Sequence, residues 1–524
     1  MALDVADDAA RGQSREVTTL IYAVFVAGLC SIVYELLIAT TVSYFLGDSV
    51  RYFSLTIGLY MAAMGLGAYL SKYVRRDLIA VLVLAETVLG LAGGFAIPLL
   101  YWAYASTGGF LVAYVVLTLS IGFLIGLEVP LLTRILERYD SLRVSIAHVL
   151  SLDYLGALIA TLAFPLLLLP FFGVFRSGLG LGLANMTIGL VLLWVFSREI
   201  GLRLTRLMLI VSSIIVLAIL AGLFGANHAL RAWNNSVYDG RILHTEQTRH
   251  QQIVLNQYLD DLRLYLNGHL QFSSRDEHRY HEALVHVPMA LMGRTPDRPL
   301  NLLFLGGGDG LAVREALKYP QVGRITLVEL DPAVSRLARE NHALRHLNGD
   351  ALNRDPRVRV VHRDAYGYIR ADGGLYDLIV ADLPDPGTTD VARLYTRDFY
   401  RLVRARLNPD GLFVTQATSP IFAPGAFWSI RETLASVFEN ARPYHLLVPS
   451  FGDWGFVLAG DRPVDPASVT APLAVDTRFL TAEGLPALFS LPKDLAPADA
   501  PEISTLDHPA VMRDYLAGWR HWGR

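Results

Sequence analysis

Two regimes of hydrophobic patterning divide the chain. From residue 18 to 225 apolar residues fall in long blocks: 18–46, 53–70, 78–104, 110–132, 149–172, 178–196 and 205–225. About 20 predominantly apolar residues suffice for a helix to cross a bilayer. The blocks therefore predict a membrane domain of about seven helices, preceded by a polar tail at 1–17. Beyond 226 the apolar runs shorten to strand length and alternate with helix-spaced segments. Residues 226–290 read as a linker and a small β-strand domain with a helix. Strand-like runs lie at 251–255 and 262–266, Asn267-Gly268 is a strong hairpin turn, and 278–292 has amphipathic helical spacing. From 291 to 462 the predicted strands are 301–306, 324–328, 358–362, 377–381 and 412–416, then two near 443–449 and 454–460. Helices at 311–319, 332–344, 396–407 and 425–437 separate them. This alternation predicts an α/β, doubly wound, Rossmann-like sheet of the methyltransferase type. Residues 463–524, rich in Pro and Ala, read as a C-terminal docking tail that Trp519 and Trp522 could anchor.

Composition sharpens the first regime. Of 524 residues 53% are hydrophobic and only 18% charged, too apolar for an ordinary soluble protein. The first block is not a cleavable signal peptide: its leader is acidic (Asp4, Asp7, Asp8), and the run is too long. Basic connections at 71–77, 133–147 and 197–206 share the N-terminal side, which predicts that side to be cytoplasmic. The expected location is the cell (inner) membrane, multi-pass. Seven spans would put the second half outside the cytoplasm, whereas a cytosolic ligand favours the cytoplasmic face and one span more or fewer. Glu35, Glu86, Glu128 and Asp153 lie in or beside the apolar blocks, where acids are costly. They read as interhelical hydrogen bonding or, more sharply, as a cavity for a polycation. A net charge of −3 argues against bulk nucleic-acid binding. Cys30 is the only cysteine, which excludes an intrachain disulfide and a cysteine-built metal site. His278 and His286 lack metal-ligand spacing and read as packing or surface residues. Arg275 and Arg314 read as structural, the one pairing with acids of the β unit and the other on a helix face.

The chemistry centres on 301–310, where a buried-strand pattern ends in Gly306-Gly307-Gly308-Asp309-Gly310. Ligands of doubly wound sheets bind at the carboxyl ends of the strands. Asp309, Glu329, Asp364, Asp382 and Asp385 all fall there. One such acid is commonly a helix cap; five along one edge suggest a site. Glu329, 20 positions after Asp309, suits a ribose diol of either a nicotinamide dinucleotide or an adenosyl-sulfonium compound. An acid within the glycine turn would repel a pyrophosphate and favours the sulfonium.

Segment 251–460 resembles the polyamine aminopropyltransferases (spermidine synthases), in their membrane-fused branch. The stretches that carry the resemblance are Gln251-Gln252-Ile253-Val254, Leu266-Asn267-Gly268 with Gln271, Arg275-Asp276-Glu277 through Tyr280-His281-Glu282, the glycine turn, Glu329-Leu330-Asp331, Asp364-Ala365 and Asp382-Leu383-Pro384-Asp385-Pro386. The resemblance implies decarboxylated S-adenosylmethionine as co-substrate, no tightly bound cofactor, no metal, and putrescine or a related amine as acceptor. It implies that Gln251, His281 and Asp309 hold the aminopropyl arm, and that Glu329 takes the ribose. Asp364 would take the adenine amine, with Gly306, Gly308 and Gly310 in the donor-binding turn. Asp382 would be the base, and Asp385 and Tyr280 would orient the amine. A homodimer is compatible with the family. Two departures concern the acceptor. Val448-Pro449-Ser450-Phe451-Gly452 stands where the family has a tyrosine loop, and Gln416-Ala417-Thr418 stands where many relatives have an acid. Two rival readings remain open: an S-adenosylmethionine-dependent methyltransferase, and a polyamine transporter or sensor whose synthase-like half only binds.

Overall fold

The computed structural model describes residues 2–46, 49–106, 108–292, 298–371, 373–469, 473–497 and 500–521. The chain forms two compact units, Met1–Asp239 and Gly240–Arg524.

The first unit is all helical: α1 (Ala2–Leu46), α2 (Ser49–Leu70), α3 (Leu78–Ser106), α4 (Phe110–Leu136), α5 (Leu142–Ala163), α6 (Leu169–Val195) and α7 (Leu202–Val237). Among the described residues six continuous helices are long and apolar enough to cross a membrane, where the sequence predicts seven. The difference arises at 142–195. The predicted spans 149–172 and 178–196 belong to one helical run, because a π-helical stretch, Phe164–Leu168, joins α5 to α6. Gly173 interrupts that run with φ 67° and ψ 174°, a conformation outside the helical region. Residues 2–17 of the predicted tail are likewise part of α1. One end of the unit gathers the basic connections: Arg134 donates to the carbonyls of Ser71 (3.1 Å) and Val74 (2.7 Å), and Arg138 pairs with Glu199 at 2.5 Å. At the C-terminal ends of α3 and α7, Trp233 Nε1 donates to Tyr101 O at 2.7 Å. Glu86 and Glu128 are both fully buried, and Asn185 donates to Glu86 Oε2 at 3.1 Å.

The second unit begins with an antiparallel sheet in the order β1–β2–β3–β4: β1 (Arg241–Gln247), β2 (Gln252–Tyr258), β3 (Asp261–Leu266) and β4 (His269–Ser273). Asn267-Gly268 makes the β3–β4 turn, both residues having positive φ as a tight hairpin of this kind requires. Helix α8 (Glu277–Leu291) leads to the large sheet. Its strands are β5 (Leu300–Gly306), β6 (Val322–Glu329), β7 (Val358–His362), β8 (Tyr376–Asp382), β9 (Leu407–Gln416), β10 (Asn440–Val448) and β11 (Gly452–Gly460), in the order β10–β11–β9–β8–β5–β6–β7. Five strands are parallel, while β10 and β11 form an antiparallel hairpin against β9. The sheet is thus mixed rather than doubly wound to its edge, because Val448 pairs with Gly452 across a tight turn with no crossover helix. Apolar strands such as 302–305 and 378–381 are buried on both faces, as expected of central parallel strands. The chain order reverses between β5 and β8, and the carboxyl ends of the strands at such a switch point are where these sheets bind ligands.

Candidate active site

Register fixes the first contacts. Gly306 pairs with Asp382 across β5 and β8, and Glu329, the last residue of β6, follows Val328, the partner of Leu305. Gly306 and Gly307 have φ of 82° and 74°, and a Cβ on Gly306 would lie 2.0 Å from Asp382 O. The Asp382 carboxylate also sits against the turn, 2.9 Å from where a Cβ of Gly307 would be. Only glycine lets the end of β8 come this close. Asp309 follows in the same turn. Its Oδ1 accepts from Leu311 N at 2.9 Å and opens the helix Leu311–Leu317 (α9). Asp309 and Asp382 thus flank the same glycine turn, and the charge of His281 acts on both.

Helix α8 supplies the opposite wall. Tyr280 donates its hydroxyl to Asp382 Oδ1 at 2.7 Å. His281, only 2% exposed, places Nδ1 2.8 Å from Glu277 Oε2. Arg314 of α9 clamps both Glu277 oxygens, at 3.0 and 2.9 Å, and bonds Leu347 O. Arg314 is therefore a half-buried tie between helices, not a helix-face residue. Arg275 does pair with Asp260 of the small β-sheet unit, and His286 is a core residue bonded to Glu315 and Tyr319.

Electrostatics follow from this packing. Burial opposes ionisation of both partners, yet their ion pair wins: Glu277 is lowered to about 2 and His281 raised to about 9. Burial pushes Asp309 up to about 6, the His281 charge opposing it and Asp382 reinforcing it. Burial raises Asp382 too, countered by His281 and the Tyr280 hydroxyl. Asp385 is raised to about 6 by burial, against hydrogen bonds from Gln416 and Tyr515, and Glu329 to about 7.

Of the other residues singled out in the sequence, Glu329 accepts from Gly308 N (3.1 Å) and Asp331 N (2.9 Å). Gly310 caps α9 in the left-handed conformation. Gln251 reaches Asp331 Oδ2 at 3.3 Å beside Thr248, which lies on the Glu329 side of the turn rather than at Asp309. Both Asp364 oxygens are engaged, by Gly367 N and by Arg393. The two departures acquire partners. Gln416 Nε2 lies 3.1 Å from Asp385 Oδ1 and 2.7 Å from the Tyr395 hydroxyl. Ser450 donates through N and Oγ to Asp276, which seats Phe451 edge-on to Tyr280.

The C-terminal segment docks on this same unit. Glu282 accepts from the backbone of 478, 479 and 480, and Trp428 Nε1 bonds Leu495 O. The helix Pro424–Ala435 (α10) receives the last helix, Ala510–His521 (α11), whose Trp519 stacks on Phe422. Tyr515 of α11 donates to Asp385 Oδ2 at 3.1 Å. Sequence reading missed Tyr515: it lies 130 positions from Asp385, with no local signal to link them. Trp522 lies outside the described residues.

The family model "Spermine/spermidine synthase domain" matches residues 277–465. Polyamine aminopropyltransferases match over nearly the whole chain. That of Leptospira interrogans is 39% identical over 96% of this chain and 99% of its own length. The relative from Oceanobacillus iheyensis is 40% identical (95% and 96%), and one from Ralstonia nicotianae is 41% identical (98% and 98%). The chain belongs to the polyamine aminopropyltransferase family. A solved spermidine synthase in complex with the transition state analogue AdoDATO is 28% identical, covering 49% of this chain and 87% of that one, with a TM-score of 0.45. The aminopropyltransferase relatives extend through the helical unit and the C-terminal segment alike, so both belong to the protein's shared architecture rather than to a chance fusion.

Proposed function

We propose that the protein transfers the aminopropyl group of decarboxylated S-adenosylmethionine to putrescine or a close analogue, giving spermidine and methylthioadenosine. The observation that carries this reading is the Asp382 carboxylate at the end of β8, bonded by Tyr280 and packed against the glycine turn that holds Asp309. Donor and acceptor are both cations, and a carboxylate-lined crevice reduces their mutual repulsion. The donor lacks a carboxylate, so Asp309 can bind its amine; S-adenosylmethionine itself would bring like charge there, which disfavours the methyltransferase reading.

The acceptor nitrogen must shed a proton. An ammonium with a pKa of ~10.4 leaves roughly one molecule in 2,000 as free amine near pH 7, a deficit of roughly 4–5 kcal/mol. Asp382 takes that proton as the nitrogen lone pair attacks the carbon next to sulfur. The C–S bond breaks, its electrons pass to sulfur, and methylthioadenosine leaves neutral. Tyr280 fixes the orientation of Asp382 and Asp385 holds the amine. Glu329 receives the ribose hydroxyls, and Gly306, Gly308 and Gly310 allow the donor close to the turn. Gln251 and Asp364 border the donor side; Asp364 contacts the adenine amine by exchanging its Arg393 pairing. The sulfonium activates its own carbon, so positioning supplies much of the remaining acceleration. The helical unit anchors the enzyme in a bilayer, with the legs before and after Gly173 crossing separately.

Product mass tests the reading. Purified enzyme given both substrates forms an aminopropylated amine, and Asp382→Asn keeps donor binding while turnover falls at least ~100-fold. A methylated product, or unchanged turnover in the variant, refutes it.

A further inference from the structure

The acceptor side of the crevice is completed from the far end of the chain. The matched synthase domain ends at 465, whereas Tyr515 lies on α11. Its hydroxyl donates to Asp385 Oδ2 (3.1 Å) while Gln416 Nε2 holds Oδ1 (3.1 Å), so the carboxylate is gripped from both sides. The fit of α11 is close. A Cβ on Gly518 would stand 2.6 Å from Phe422 O, and one on Gly387, two residues beyond Asp385, would stand 3.2 Å from the Tyr515 ring. Phe422 and Trp519 stack at 5.2 Å, and Trp519 in turn packs on Tyr515 at 6.1 Å. These contacts locate the hydroxyl from two directions.

We propose that Tyr515 is a positioning residue for the acceptor amine: α11 is a wall of the acceptor subsite, and its tyrosine orients Asp385 for the incoming ammonium. This rests on the aminopropyltransfer reading given above. A hydrogen bond to a charged group favours the ionised, correctly turned carboxylate, and losing it weakens cation binding without touching the donor. The hydrogen bonds of Asp309 and Glu329 run to the backbone of Leu311, Gly308 and Asp331, within the donor side itself.

The test is steady-state kinetics of the full chain in detergent, with 1,3-diaminopropane, putrescine, cadaverine and spermidine as acceptors. Tyr515→Phe raises the acceptor KM about 10-fold, leaves the donor KM within about 2-fold and kcat within about 3-fold, and moves the acid limb of kcat/KM for the amine to higher pH. Gly387→Ala, which displaces the ring without removing it, gives the same pattern more weakly and serves if Tyr515→Phe does not fold. Asp514→Ala, at a neighbour whose carboxylate pairs with Arg513 and whose Cβ lies against Gly425, keeps wild-type constants. An unchanged acceptor KM for every amine, or parallel shifts in both KM values, overturns the proposal. A wild-type enzyme that aminopropylates none of the amines would refute the parent reading instead.

Discussion

Replacing Glu277 by Gln keeps the shape of α8 and removes the charge that holds His281 protonated. The carboxylate lies between His281 Nδ1 at 2.8 Å and the Arg314 guanidinium at 2.9–3.0 Å, all largely out of water. His281 is raised from 6.5 to about 9 against burial, by Glu277 foremost with Asp309 and Asp382 adding, and ~1.36 kcal/mol per unit makes these charges together worth about 3 kcal/mol net. The sign follows from each partner. His281, whose folded value lies above its unfolded one, contributes fully below pH 6.5 and loses this as pH rises through about 9. Glu277, depressed to about 2, contributes fully above 4.5 and loses this as pH falls through 2. The cost of Glu277→Gln is therefore greatest between pH 4.5 and 6.5, and at pH 9 and beyond it loses the His281 share while the Arg314 share remains. For a domain of this size about 3 kcal/mol corresponds to a fall in Tm of roughly 5–10 °C. Tryptophan-fluorescence melting of wild type and variant in detergent, at half-unit steps from pH 5 to 9.5, reads both the magnitude and the shape. A difference under about 2 °C at pH 6, or one equally large at pH 6 and 9.5, refutes the buried ion pair as the source of stability.

Two further outcomes are expected. The value of kcat/KM for the amine falls on the acid side with a midpoint near 6, because Asp309 and Asp385 protonate there. Protonation of raised acids favours the folded state, so activity lost at pH 5.5 returns at 7.5; a flat profile down to pH 5 contradicts these assignments. Seven crossings with the basic connections in the cytoplasm would carry a reporter fused after Arg524 to the other side, opposite to the face that a cytosolic donor favours, so the reporter decides between the two. Alkaline phosphatase is then active there and a cytoplasm-dependent fluorescent reporter dark; the reverse pattern means the legs flanking Gly173 do not both cross.

Much of this protein is written locally. Hydrophobic block length separates the helical unit from the α/β unit, because a buried parallel strand needs about five apolar residues and a lipid-spanning helix about 20. The glycine turn and the acids at the strand ends lie within a few residues of the elements that position them. Asn267-Gly268 forms its turn whatever surrounds it, since its conformation is set by two residues. Other features depend on groups far apart in the chain. Arg314 has the sequence environment of a surface helix residue, and only the packing of α9 against α8 brings it to Glu277. Gln416 looks like the loss of an acid until its amide is seen holding Asp385. The C-terminal segment reads as a proline-rich tail, yet Glu282 and Trp428 bind its backbone and α11 delivers Tyr515 to the crevice. The antiparallel edge of the sheet and the break at Gly173 are likewise outcomes of chain packing. Hydrophobic period and turn chemistry act between neighbours and can be read in order. Hydrogen bonds between residues 130 positions apart form only once burial has excluded water from both partners, and so belong to the tertiary structure.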